Sequence, residues 1–132
     1  MATNKPAKIL IIDDDASMVR ALAIRLGELG YECVTTTSRK QGLARFRRAR
    51  FDMVITDMIM PKPDGFSLVD MIREVGDVPI IVVTGYARNR PPFLTEFADV
   101  GFVSKPFDWG RLAQEIESRL TPPNAPAAQG GA

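Results

Sequence analysis

An alternation constrains this chain more than any other feature. Short apolar runs in "AKILIIDDD", "YECVT", "MVIT", "VPIIVV" and "GFVS" are each followed by a stretch with helical spacing or turn chemistry. Runs of this length, rich in branched residues, suit strands buried on both faces. Between the first two, Met18, Leu22, Leu26 and Leu29 recur at helical spacing among Arg20, Arg25 and Glu28, and Gly30 is a natural stop. "SRKQGLARFRRAR" predicts a basic helix with Leu43 and Phe46 inward, and "DGFSLVDMIREVG" a third helix ended by Gly76. "FLTEFADV" predicts a short fourth helix. "DWGRLAQEIESRL" predicts the last, with Asp108 as N-cap and Leu112, Ile116 and Leu120 on one stripe. Such a (βα)₅ series predicts a doubly wound α/β sandwich: a parallel sheet with helices on both faces.

Sheets of this kind bind ligands beyond the carboxyl ends of their strands. The first strand ends on Asp13 and Asp14, the third on Asp57 and the fourth on Thr84, while Lys105 follows the fifth. Far apart in sequence, they are expected at one edge. Clustered carboxylates repel one another, and a divalent cation relieves the repulsion. Hard oxygen donors without His or Cys suit Mg²⁺, with Mn²⁺ as a substitute. With a hydroxyl and a lysine beside them, the set suits phosphoryl transfer to a carboxylate. Singly, each residue has a plainer reading. Asp13, Asp14 and Asp15 make a turn and helix cap, Asp57 a turn, Thr84 a strand end and Lys105 a solvated charge.

Composition narrows the alternatives. The chain has 132 residues and a net charge of +1, enough for one ordinary domain. Having no histidine, it has no imidazole metal site, Ser-His-Asp triad or histidine base. A single cysteine, Cys33, argues against disulfides and structural zinc. No apolar stretch approaches the ~20 residues that cross a membrane. "MATNKPAK" has no signal-peptide core, so a cytoplasmic protein is expected. Residues 1–7 read as an extension, 8–120 as the folded domain, and 121–132, "TPPNAPAAQGGA", as a disordered tail.

In order and spacing, "ILIIDDD", "DMVITDMIMPKPDG", "PIIVVTG" and "FVSKPF" make the chain resemble the response-regulator receiver domains of two-component signalling. The resemblance implies a flavodoxin-like sheet of order 2-1-3-4-5. It implies that Asp57 is phosphorylated by a sensor histidine kinase or a histidine phosphotransfer protein. By the same resemblance Asp14 is the direct Mg²⁺ ligand, and Asp13 beside it holds the ion's water. Asp57 and the backbone carbonyl of Ile59 complete the metal set. Thr84 is the hydroxyl that moves toward the phosphoryl group, Lys105 the lysine that pairs with it, and Phe102 the switch aromatic. The Lys105–Pro106 bond corresponds to a cis peptide. With no output domain in the sequence, the expected product is a monomeric single-domain regulator. It would act through a downstream protein, or serve as a phosphorelay shuttle or phosphate sink.

Some positions depart from the family. Gly85 and Tyr86 follow Thr84, where Gly85 loosens the loop and Tyr86 narrows its entrance. Pro91 and Pro92 fall where a receiver has regular helix, so the fourth helix is expected to begin at or after Pro92 and end near Ala98.

Two rivals come from other classes. A Mg²⁺-dependent phosphotransferase of the haloacid dehalogenase type needs a second Asp two residues after its nucleophile. After Asp57 that place is Ile59; Asp15 fills it after Asp13, but the chain lacks room for the usual cap. A nucleic-acid-binding module would use the basic run at 39–50, with Arg39, Lys40, Arg45, Arg47, Arg48 and Arg50 and no acid. Such runs are more often a solvated helix face, and a net charge near zero weighs against this rival.

Overall fold

The computed structural model describes residues 6–57, 72–84, 100–104 and 108–120. Its strands are β1 (Lys8–Ile12), β2 (Glu32–Thr36), β3 (Met53–Asp57), β4 (Ile80–Thr84) and β5 (Val100–Ser104). Among the described residues the helices are α1 (Ala16–Glu28), α2 (Arg39–Arg48) and α3 (Trp109–Leu120), and residues 72–75 are also helical. All strand pairs are parallel, in the order β2-β1-β3-β4-β5. This is the expected doubly wound fold.

Strand alternation divides the core into two layers. Ile9, Ile11, Met53, Ile55, Ile81 and Val83 meet Leu22 and Leu26 of α1 and Leu112 and Ile116 of α3. On the other face Leu10, Ile12, Val54, Ile80 and Val82 meet Phe46 of α2 and Ile72. A strand buried on both faces has no polar side to show in its sequence, which is why "ILII" and "IIVV" read as unbroken apolar runs. No helix among the described residues is long and apolar enough to cross a membrane.

Helix ends follow local chemistry. Asp15 caps α1 by accepting from the Ser17 and Met18 N–H groups, at 3.0 and 3.2 Å. Asp108 caps α3 through the Gly110 and Arg111 N–H groups. Gly30, at φ +100°, turns the chain out of α1 where a side chain would be strained. The α1 stripe differs from the expected one. Val19, Leu22 and Leu26 are buried, Met18 is half-buried, and Leu29 is 58% exposed. The helix ends at Glu28, so Leu29 becomes its C-cap and leaves the core-facing stripe.

Helix α2 approaches the sheet most closely at Gly42. A Cβ there would lie 2.5 Å from Ile12 Cδ1 and 2.8 Å from Ile12 Cγ1. Ile12 is only 1% exposed and has little room to move. Overpacking of this kind costs about 1–3 kcal/mol, against about 0.5–1 kcal/mol regained from better helix propensity. Gly42→Ala should therefore lose roughly 1 kcal/mol in urea unfolding; a gain in stability would contradict the close approach.

Cys33 on the edge strand β2 is free and half-buried. Burial, with the Glu32 charge beside it, pushes its thiol up to about 11. Above the ordinary thiol range the unfolded chain releases a proton that the folded chain keeps, so stability falls as pH rises toward 11. Melting curves should show a shallower alkaline decline in Cys33→Ala; identical slopes would contradict the shift.

Candidate functional site

Backbone register builds the site. β1 and β3 are neighbours with Ile12 opposite Thr56, so the next rung sets Asp13 beside Asp57. Asp57 is the last residue of β3, paired with Val83 of β4, and is not in the turn beyond. It is 5% exposed and Asp13 3%. Asp14 is exposed.

Each position is held by main chain. The Asp13 N–H donates to the Thr36 carbonyl at 3.2 Å, extending the β1–β2 ladder one residue past the strand. Asp13 Oδ1 accepts from the Asp15 N–H at 3.0 Å, which turns the chain into α1. Thr56 Oγ1 donates to the Asp57 carbonyl at 3.2 Å inside the core. Thus Asp15 is the helix cap and Asp13 makes the turn. Asp14 makes no hydrogen bond among the described residues. The plain reading of a turn and a cap accounts for Asp15 and part of Asp13. It leaves Asp14 and the burial of Asp57 without a reason.

One carboxylate oxygen from each of Asp13, Asp14 and Asp57 lies within 4.8 Å of the other two. Ionised together at such short range, the carboxylates repel one another. A cation offsets such repulsion. The donors are hard oxygens, from two buried residues and one exposed one. That donor set fits Mg²⁺ or Mn²⁺.

Thr84 ends β4 opposite Ser104 of β5, the residue before Lys105 in the chain. The backbone thus brings the ends of β4 and β5 together, with β4 next to the strand that ends on Asp57. The side chains of Thr84 and Phe102 lie outside the described residues, as do Ile59, Gly85, Tyr86, Lys105 and Pro106. So do the expected fourth helix with Pro91 and Pro92, the first five residues and the tail at 121–132. The sequence did not single out Thr36 and Thr56, which position the two buried acids. The available signal was that each closes a strand or stands one residue before its end.

Comparison with known proteins agrees with this geometry. A family model described as "Response regulator receiver domain" matches residues 9–117. A protein of Porphyra purpurea named "Probable transcriptional regulator ycf27" is 39% identical over 119 residues, which is 89% of this chain and 49% of that protein. The chain therefore spans about half the length of that relative. The structure of the chemotaxis protein CheY4 of Vibrio cholerae superposes with a TM-score of 0.76 at 28% identity, covering 86% of this chain and 98% of that one. A CheY-like receiver domain of Methanospirillum hungatei gives a TM-score of 0.79 at 26% identity, covering 87% and 94%. With the fold, the sheet order and the matched span in agreement, the chain belongs to the response-regulator receiver domains of two-component signalling.

Proposed function

We propose that this receiver domain, spanning residues 8–120, is a phosphorylation switch whose acceptor is Asp57. The observation that carries the reading is the trio Asp13, Asp14 and Asp57, gathered within 4.8 Å at the ends of β1 and β3. The proposed donor is a phosphohistidine on a sensor kinase or a histidine phosphotransfer protein. A carboxylate oxygen of Asp57 forms the new O–P bond as the donor's N–P bond breaks, and that bond's electron pair returns to the imidazole. Asp13, Asp14, Asp57 and the Ile59 carbonyl would hold Mg²⁺, or Mn²⁺ in its place. When bound, the ion supplies positive charge that offsets the carboxylates and the phosphoryl oxygens.

Thr84 is proposed to donate its hydroxyl to the phosphoryl group and Lys105 to form a charge-assisted hydrogen bond with it. Phe102 on β5 would change position with Thr84, carrying the phosphorylation state to the surface. The Lys105–Pro106 bond would be cis. Loss of the phosphoryl group to water at the same site resets the switch. Output passes through contacts with a downstream protein, from a monomeric domain in the cytoplasm. Relatives named as transcriptional regulators extend beyond the stretch matched here; in this reading that stretch supplies the switch and not a DNA contact.

Incubation with acetyl phosphate and Mg²⁺, followed by intact-mass measurement, tests the reading. One added phosphoryl group per chain is expected, and a chelator should suppress it. An unchanged mass with Mg²⁺ present would mean a receiver fold without receiver chemistry.

A further inference from the structure

A feature remote from the acidic site remains unused by that chemistry. Gly42 holds α2 against β1 near Ile12, while another side of the helix, from Gln41 to Arg48, borders a groove of about 430 Å³. Val34, Ala44, Ala49 and Phe51 line it with apolar atoms, and Lys8, Arg45 and Arg48 line it with cations. Helical spacing sets Arg45 and Arg48 three residues apart on one side of α2. Both are exposed, and among the described residues neither takes part in an ion pair. The Lys8 ammonium stands 5.2 Å from the centre of the Phe51 ring, which fixes a third positive charge at the groove's end. Two acids lie beside Lys8: Glu32, in register with it, and Asp52, whose carboxylate accepts from the Lys8 N–H. Neither lines the groove.

We propose that this groove docks an acidic peptide segment of a partner protein, with one apolar side chain seated between two or more carboxylates. Charge complementarity selects an anion, and the apolar lining selects a peptide over a nucleic-acid backbone. A phosphate chain would use the arginines and leave Val34 and Ala44 uncovered. The chain's net charge of +1 also gives little long-range attraction for a polyanion. Lys8 and Phe51 precede the strand ends that carry Asp13 and Asp57 by the length of a strand, about 16 Å at ~3.3 Å per residue. A segment docked here leaves the acidic site open. It therefore anchors a partner in both phosphorylation states and does not report the state.

The test uses the unphosphorylated, ¹⁵N-labelled chain, so its outcome is independent of the chemistry at Asp57. The probes are synthetic peptides of alternating Glu with a central Leu or Phe, the same peptides with the centre changed to Ser, and a short DNA duplex. Saturable amide shifts confined to Val34, Ala44, Arg45, Arg48 and Phe51 are expected. Affinity should fall at least about tenfold in Arg45→Glu/Arg48→Glu, a surface change that a melting curve will show to be folded, and it should fall with added salt. The Ser-centred peptides should bind several-fold more weakly. Absence of shifts, shifts elsewhere, equal binding of the Ser-centred peptides, or tighter binding of the duplex would each overturn the assignment, the last in favour of a nucleic-acid surface.

Discussion

Asp57→Asn is expected to give a folded protein that takes no phosphoryl group under conditions that label the parent fully. The amide keeps the shape of the carboxylate at the end of β3 but lacks its nucleophilic oxygen. Asp57 is the acceptor in this account because it combines two properties that its neighbours do not share. It is 5% exposed, hence shielded from bulk water, and it stands at the centre of the sheet between the ends of β1 and β4. Asp13 is as well buried, but it follows β1, to one side of the central strand, and its carboxylate shapes the turn into α1 through the Asp15 N–H. Asp14 faces solvent. Intact mass after acetyl phosphate treatment reads the result, with circular dichroism as the check on folding. Labelling of the Asn variant at the parent's level would move the acceptor elsewhere.

Asp14→Ala is expected to weaken Mg²⁺ binding at least about tenfold, the low end of what even supporting residues of metal sites cost when removed. Asp14 is the exposed member of the trio and makes no hydrogen bond among the described residues. Its removal therefore opens no cavity and leaves no buried group without a partner. Without metal the variant should melt at the parent's temperature or above it, because one of three mutually repelling carboxylates is gone. With saturating Mg²⁺ the order should reverse, since the parent gains the free energy of binding and the variant gains less. Calorimetric titration and paired melts check both halves. Equal Mg²⁺ affinity in the two proteins would remove Asp14 from the ligand set.

Much of this was legible in the chain because burial on both faces leaves so plain a mark. "ILII", "MVIT" and "IIVV" became β1, β3 and β4, and the alternation with helices was enough for a parallel sheet. The convergence of Asp13, Asp14 and Asp57 followed from that topology. Side-chain detail was less accessible. The apolar character of Leu29 suggested a core position, yet the helix end at Glu28 put it into solvent. Asp15, rather than Asp13 or Asp14, became the cap because its carboxylate reaches the Ser17 and Met18 amides. The closeness of Gly42 to Ile12 depends on contacts across 30 residues of chain, which local pattern does not record. The supporting roles of Thr36 and Thr56 depend on hydrogen bonds to backbone, and residue type alone does not announce those. The groove under Arg45 and Arg48 read simply as a basic helix, since Val34 of β2 and Phe51, which complete its apolar lining beside Ala44 and Ala49, lie outside that helix.

The central claim is that the phosphoryl group resides on Asp57, and its position can be read directly. The chain is treated with acetyl phosphate and Mg²⁺, reduced with borohydride, which converts an aspartyl phosphate to homoserine, then digested and sequenced by tandem mass spectrometry. The account predicts homoserine at position 57 and unaltered aspartate at 13 and 14; homoserine at either of those, with Asp57 intact, would contradict it.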